Sequence, residues 1–224
     1  FLFGTLGHEN EDKVTRFLIK TFRPSDIFYD IGASYGFYTY LAAACITKGE
    51  IHAFEPLPDV FSFLQHNAHK NPRCLLNNCV LSDREGEVAF YKGYPSTVSS
   101  TMVQKVAHMN TWNEYKSIEV PSTTLDLYMK NHKSPTILKI DAEGAETLII
   151  KGGREFFSQN SPTIIMEIWN GEKGKQFSLP AAQELFSLGY ALYDILQDGT
   201  LKKKEQSRIL SFVGDSFDNV VFRK

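Results

Sequence analysis

The sequence predicts an α/β protein built on a Rossmann-like, mostly parallel sheet. Three observations carry that expectation. Strand-like apolar runs alternate with helical stripes along the chain, the pattern of parallel strands joined by crossover helices. The first run ends in an acid and a turn with two glycines, Asp30-Ile31-Gly32-Ala33-Ser34-Tyr35-Gly36. Two later runs, 135–141 and 162–169, are apolar except for isolated charges, as in strands covered on both faces. The 224 residues suit one domain with a full core.

Taken in order, residues 1–26 form a helical lead-in, with Val14, Phe17, Leu18 and Phe22 on one helix face over 11–22. Pro24-Ser25-Asp26 ends that helix and leads into the first strand. A helix over 38–46 follows the glycine turn, and 50–55 is the second strand. Pro58-Asp59 opens a helix carrying Val60, Phe61, Leu64 and Ala68, which Asn71-Pro72 stops. Residues 74–81 read as the third strand, closed by Ser82-Asp83. Beyond the turn Arg84-Glu85-Gly86, period-two alternation over 87–91 predicts an added β element. Residues 93–118 break the rhythm. They read as an irregular, Ser/Thr-rich insertion with Tyr94, Met102, Trp112 and Tyr115, either a substrate lid or a solvated excursion. Residues 122–124 cap a short helix through Tyr128.

The fourth strand is 135–141. Its helix starts at Gly144, breaks at Gly152-Gly153 and resumes over 154–157. The fifth strand is 162–169, followed by a helix over 181–188 that ends at Gly189. Residues 190–196 and 219–223 make the last two strands. The basic run Lys202-Lys203-Lys204 between them reads as a solvated loop. The count is seven strands.

Composition excludes several classes. Hydrophobic content of 42% and charged content of 22% are ordinary for a globular protein. A net charge of −2 leaves no basic footprint for nucleic acid. Cys45, Cys74 and Cys79 have neither metal-ligand spacing nor an even-numbered framework, which points to a reducing, cytoplasmic compartment. No stretch reaches transmembrane length and no signal-peptide pattern is present, so no stable membrane insertion is expected. Phe1 stands where a Met would, so the start reads as trimmed or processed. Nothing in the sequence speaks to oligomeric state.

The glycine turn selects a cofactor. A dinucleotide turn wants G-x-G-x-x-G, and the middle glycine is missing here. Asp30 before the turn would repel a phosphate and suit a cationic ligand. S-adenosylmethionine has a sulfonium, an ammonium and no phosphate. Glu55 ends the second strand about 20 residues on, where a carboxylate takes ribose hydroxyls. The turn also reads Gly-x-Ser-x-Gly, the nucleophile elbow of a hydrolase with Ser34 as nucleophile. That reading needs a late histidine, and none follows His132. A second cluster lies on the fourth and fifth strands. Lys139 and Glu167 interrupt apolar runs, where a lone buried charge is costly, and neighbouring strands would let them pair. Asp141 shares a face with Lys139 nearer the strand end. It is read either as a site carboxylate or as the N-cap of the next helix. Glu143 and Glu146 fall in what reads as the first helical turn, where acids suit the dipole. No metal ligand is assigned.

These residues resemble the FkbM family of S-adenosylmethionine-dependent methyltransferases. The matching stretches are Asp30 to Gly36, Phe54-Glu55-Pro56-Leu57-Pro58, Leu81-Ser82-Asp83, Thr124-Leu125-Asp126, Lys139-Ile140-Asp141-Ala142-Glu143-Gly144-Ala145-Glu146 and the strand with Glu167. Ser34 stands where the family usually has Asn. The resemblance implies a class I methyltransferase fold of seven strands, mostly parallel with an antiparallel last strand, with helices on both faces. It also implies O-methylation of a hydroxyl on a sugar, glycolipid or polyketide. In that role Asp30, Gly32, Ser34 and Gly36 would hold the amino-acid half of the cofactor, Glu55 the ribose, and Ser82 and Asp83 would lie near adenine. Asp141 would act as catalytic carboxylate, oriented by Lys139 and Glu167. The alternatives are a cofactor-binding module without catalysis and the Ser34 hydrolase.

Overall fold

The structure is a computed structural model that describes residues 9–68, 70–94, 97, 100–109, 114–211 and 217–224. Helix α1 (Glu9–Thr21) precedes strand β1 (Ile27–Ile31), helix α2 (Phe37–Cys45), β2 (Glu50–Phe54), α3 (Pro58–Ala68) and β3 (Cys74–Asn77). A second group follows: β4 (Val80–Leu81), β5 (Gly86–Tyr94), α4 (Gln104–Met109), β6 (Glu114–Thr123) and α5 (Leu125–Tyr128). Next come β7 (Ile137–Ile140), α6 (Glu146–Gly152), α7 (Arg154–Gln159), β8 (Thr163–Trp169), α8 (Gly171–Lys173) and α9 (Leu179–Ser187). The chain closes with β9 (Ala191–Ile195), β10 (Leu201–Lys204) and β11 (Phe217–Arg223).

The main sheet has the order β10-β9-β11-β8-β7-β1-β2-β3. Strands β3, β2, β1, β7 and β8 pair in parallel, and β11 inserts antiparallel between β8 and β9. This is the expected mostly parallel sheet with a reversed last strand. The count is eight rather than seven, because Lys202, Lys203 and Lys204 are not a loop. They lie in β10, an edge strand antiparallel to β9. Lysines suit that place, since an edge exposes ladder groups that charged side chains shield from further pairing. Lys204 also bonds Asp194 of β9 at 2.8 Å.

Residues 74–81 are likewise not one strand. Asn77 and Asn78 end β3 by turning side-chain amides onto the carbonyls of Ala53 (3.2 Å) and Glu55 (2.8 Å). The chain then leaves the main sheet, and β4 joins β6 and β5 in a separate three-stranded sheet. That second sheet takes up much of 93–118: β5 reaches Tyr94, α4 spans Gln104–Met109, and β6 begins at Glu114. Its core is Leu57, Val60, Val80, Val88, Phe90 and Val120. Trp112 lies outside the described residues.

Strand alternation sorts the main sheet into two faces. Tyr29, Leu138, Ile140, Ile164 and Met166 pack with residues of α6, α7 and α9. Phe28, Ile137, Ile165 and Val221 pack with Val14, Phe17 and Leu18 of α1 and Tyr38 and Ala42 of α2. The same alternation puts Asp30, Lys139 and Glu167 on the α1/α2 face, two residues beyond Phe28, Ile137 and Ile165. No helix among the described residues is long and apolar enough to cross a membrane.

Candidate active site

The turn after β1 is held from three sides. Gly32 and Ala33 donate backbone N–H bonds to Phe54 O at 3.0 and 2.9 Å. The Ser34 N–H donates to Glu55 Oε2 at 2.9 Å, and the Leu57 N–H to Glu55 Oε1 at 2.9 Å. Gly32 has φ +81° and passes so close to the next strand that a Cβ would sit 1.9 Å from the Asp141 carbonyl oxygen. Only glycine meets both demands. The turn of β1 and the end of β7 are therefore in backbone contact, and Asp141 N–H donates to Ile31 O at 3.0 Å.

Above this contact lies a cavity of about 480 Å³. Gly32, Ser34, Glu55 and Leu57 line it together with Asp141, Glu143, Glu167 and Trp169. It opens at the carboxyl ends of the parallel strands, where open α/β sheets bind ligands. Glu55 is 6% exposed. Burial pushes its carboxyl up to about 7, with the Leu57 and Ser34 N–H groups pulling the other way.

Of the residues expected to touch the cofactor, Gly32, Ser34 and Glu55 line the cavity, while Asp30, Gly36, Ser82 and Asp83 sit outside its lining. Asp30 is buried and accepts a 2.6 Å bond from Thr39 Oγ1, tying β1 to α2. Burial raises its carboxyl to about 6 against the opposing pull of Thr39 and Lys139. Gly36, at φ +93°, precedes α2 and leaves room for Leu64, whose side chain a Cβ would meet at 2.6 Å. The Ser82 N–H donates to Thr123 O at 2.9 Å, and its carbonyl packs against Gly152 of α6. The residues just before it, Cys79, Val80 and Leu81, line the cavity instead.

Next to this turn, Lys139 is fully buried and donates to Asp141 Oδ2 at 2.9 Å. Burial pulls its ammonium down, but Asp141, Glu11 and Glu167 outweigh that and hold it above the usual lysine value. β7 and β8 are neighbours, as the pairing idea required. Register sets Lys139 opposite Ile165 rather than Glu167, and Ile140 opposite Met166, so Glu167 stands level with Asp141. No Lys139–Glu167 ion pair within 4.0 Å forms among the described residues. The ammonium pairs with Asp141, and Glu167 accepts a 2.8 Å bond from Trp169 Nε1.

Asp141 is not a helix cap. Helix α6 begins at Glu146, later than Gly144. Glu146 Oε1 accepts from the Ala142 and Gly144 N–H groups at 3.1 and 3.3 Å. Between these anchors Glu143 (φ +49°) and Gly144 (φ +93°) are left-handed. The loop so shaped places Glu143 in the cavity wall, and carboxylate oxygens of Asp141, Glu143 and Glu167 lie within 4.8 Å of one another. Burial, then Asp141 and Glu146, push the Glu143 carboxyl well above the carboxylate range. Burial, then Asp141 and Glu143, do the same to Glu167. Glu143 escaped the sequence reading because helical spacing assigns it to a first turn. The Glu-Gly pair that bends the loop was the available signal.

The turn's chemistry does not suit a Ser34 nucleophile. Ser34 is held through its N–H, and no described histidine lines the cavity to act as base. For S-adenosylmethionine the fit is better. The cavity volume lies in the range of small-ligand sites. Glu55 offers acceptor oxygens at the turn, and the one described lysine in the wall, Lys173, stands beside Trp169. Among the described residues no lysine or arginine of the cavity wall faces the turn to hold a phosphate.

Three comparisons bear on this geometry. A hexuronic acid methyltransferase, AglP of Haloferax volcanii, is 27% identical over 164 residues, covering 72% of this chain and 63% of its own. The chain thus spans less than two thirds of that curated relative. In fold it is similar to a methyltransferase FkbM from Methylobacillus flagellatus (TM-score 0.58, 16% identity, 91% of this chain and 44% of that one). It is also similar to Aeropyrum pernix fibrillarin in complex with natively bound S-adenosyl-L-methionine (TM-score 0.54, 12% identity, 96% and 76%). The family model for the methyltransferase FkbM domain matches residues 30–192, a span that opens at Asp30 and takes in the glycine turn, Glu55 and the whole acidic cluster; the chain belongs to the FkbM methyltransferase family.

Proposed function

We propose that the protein transfers a methyl group from S-adenosylmethionine to a hydroxyl of a sugar or a related glycolipid or polyketide. The observation that supports this reading is the backbone contact between the Gly32 turn and Asp141, which brings that turn and a carboxylate side by side in one cavity. Gly32, Ser34 and Glu55 hold the cofactor, with Glu55 taking the ribose hydroxyls. Asp30 and Gly36 support the turn from behind, and Ser82 and Asp83 position Leu81 near the adenine. When bound, S-adenosylmethionine supplies an electrophilic methyl on a positively charged sulfur. Asp141 orients the acceptor hydroxyl and takes its proton as the oxygen bonds to that methyl and the sulfur departs as a neutral thioether. Lys139 holds one Asp141 oxygen, leaving the other for the acceptor, and Glu167 fixes Trp169 in the cavity wall. Holding oxygen, methyl carbon and sulfur in line supplies much of the remaining rate.

The acceptor class is supported by the hexuronic acid methyltransferase relative. Thr97, Ser100 and Met102, between β5 and α4, line the wall and serve as the cover over the acceptor. The described residues act as a single catalytic domain. The test is calorimetric and enzymatic together. S-adenosylhomocysteine should bind and NAD should not, and labelled methyl should pass to a hydroxyl of a panel of uronic acids and neutral glycosides. Binding of NAD without S-adenosylhomocysteine refutes the cofactor assignment. Tight cofactor binding with no methyl transfer to any hydroxyl-bearing compound favours a binding module.

A further inference from the structure

Asp141, Glu143 and Glu167 reach the cavity from two backbone segments: the loop after β7, and β8. Their oxygens lie within 4.8 Å of one another, a spread that one cation with bonds of about 2.0–2.6 Å can bridge. Lys139 pairs with Asp141 and leaves the other two carboxylates without an ion-pair partner among the described residues. The Glu143 side chain accepts no hydrogen bond among the described residues.

A second, independent feature lies beside them. Asn219 of β11 is 1% exposed, and its Oδ1 has no hydrogen-bond partner among the described residues. It stands directly opposite Glu167 in the antiparallel register. Its side chain therefore shares the face of Glu167, one step along from Phe217 in the cavity wall. A buried carbonyl oxygen without a donor is rare and costly. Here its neighbour Glu167 is itself an acceptor. An oxygen-seeking cation on this face is one species that would draw both oxygens.

We propose that Asp141, Glu143 and Glu167 bind one divalent cation of the magnesium, manganese or calcium class, on the sheet face that Asn219 shares with Glu167. All-oxygen donors select such hard cations over zinc or copper. Placed there, the ion would supply Lewis acidity to the acceptor hydroxyl and lower its pKa, with Asp141 still taking the proton. It also lets an acid-lined pocket accept a sugar that carries its own carboxylate. That last consequence rests on the function proposed above; the site itself does not.

The test is a Mn²⁺ titration of chelator-treated protein, followed by the electron paramagnetic resonance signal of free Mn²⁺, without cofactor or acceptor. One Mn²⁺ per chain, displaced by Mg²⁺, is expected. Glu143→Gln should keep the melting temperature within a few degrees and weaken Mn²⁺ at least about tenfold. If that variant unfolds, Glu167→Gln carries the same expectation. No stoichiometric Mn²⁺ in the parent protein, or equal affinity in a folded variant, overturns the site. Methyl transfer that survives chelation with no Mn²⁺ bound overturns the site alone. Bound Mn²⁺ without methyl transfer upholds the site and refutes only the transferase reading.

Discussion

Replacing Asp141 by Asn tests the catalytic assignment with the least disturbance. The side chains are nearly isosteric, and the Asn oxygen can still accept from Lys139 Nζ, which now lies 2.9 Å from Oδ2. The fully buried ammonium loses its nearest negative partner but keeps the acids Glu11 and Glu167 nearby. A broken buried pair with no compensation costs about 3–5 kcal/mol. With the hydrogen bond retained and two acids still near, the cost here should be about 1–2 kcal/mol, comparable to one charge-assisted bond. For a chain of this size that lowers the melting temperature by about 2–8 °C. No helix-capping loss adds to it, because α6 starts at Glu146. Catalysis should fall about a hundredfold or more, the scale of a positioned proton acceptor. Affinity for S-adenosylhomocysteine should stay within about threefold, since Glu55 and the Gly32 turn are untouched. Single-turnover methyl transfer, calorimetric binding and a melting curve on one preparation separate these effects. A transfer rate within threefold of the parent refutes the role of Asp141, whatever the melting temperature does.

Glu55 titrates near neutrality because it is buried, so ligand binding should report its charge. Its folded value, about 7, lies above the ordinary 4.5, so its protonated form stabilises the fold at low pH and that contribution fades as pH rises through about 7. Ribose hydroxyls favour the ionised form. S-adenosylhomocysteine should therefore bind up to about tenfold more tightly at pH 8 than at pH 6, and the slope should vanish in Glu55→Gln; a pH-independent parent contradicts this. Gly32→Ala puts a methyl 1.9 Å from the Asp141 carbonyl in a left-handed backbone, and should leave little folded protein by circular dichroism. A stable, active Gly32→Ala would show that the two loops are not in the contact described. Glu146→Ala removes two acceptor contacts to loop N–H groups and should cost about 2–4 kcal/mol in urea unfolding, while Glu146→Gln, which keeps an acceptor oxygen, should cost less than half of that. Equal losses in the two variants would mean that Glu146 acts through its charge instead.

Local pattern determined much of this protein. Continuous apolar runs and helical stripes specify the parallel sheet and its crossover helices, because side-chain periodicity is a property of each segment alone. The glycine turn, Glu55 at the end of β2, and the charges Lys139, Asp141 and Glu167 were legible because each breaks an apolar context at a strand end, where burial without purpose is costly. Pairing was not legible. Whether Lys202–Lys204 form a strand depends on β9 offering an edge, and whether residues 74–81 stay together depends on two asparagines finding carbonyls of β2 and the loop after it. Lys139 takes Asp141 rather than Glu167 because strand register, a relation between segments far apart in sequence, sets Glu167 level with Asp141. Glu143 belongs to the cavity because a left-handed pair, Glu143 and Gly144, and the reach of Glu146 delay the helix past it. Asp30, read as a cofactor ligand, is buried and accepts from Thr39 of α2, a partner that only the fold reveals. In each case the deciding energy is that of satisfying buried polar groups, and only the assembled sheet shows which partners are within reach.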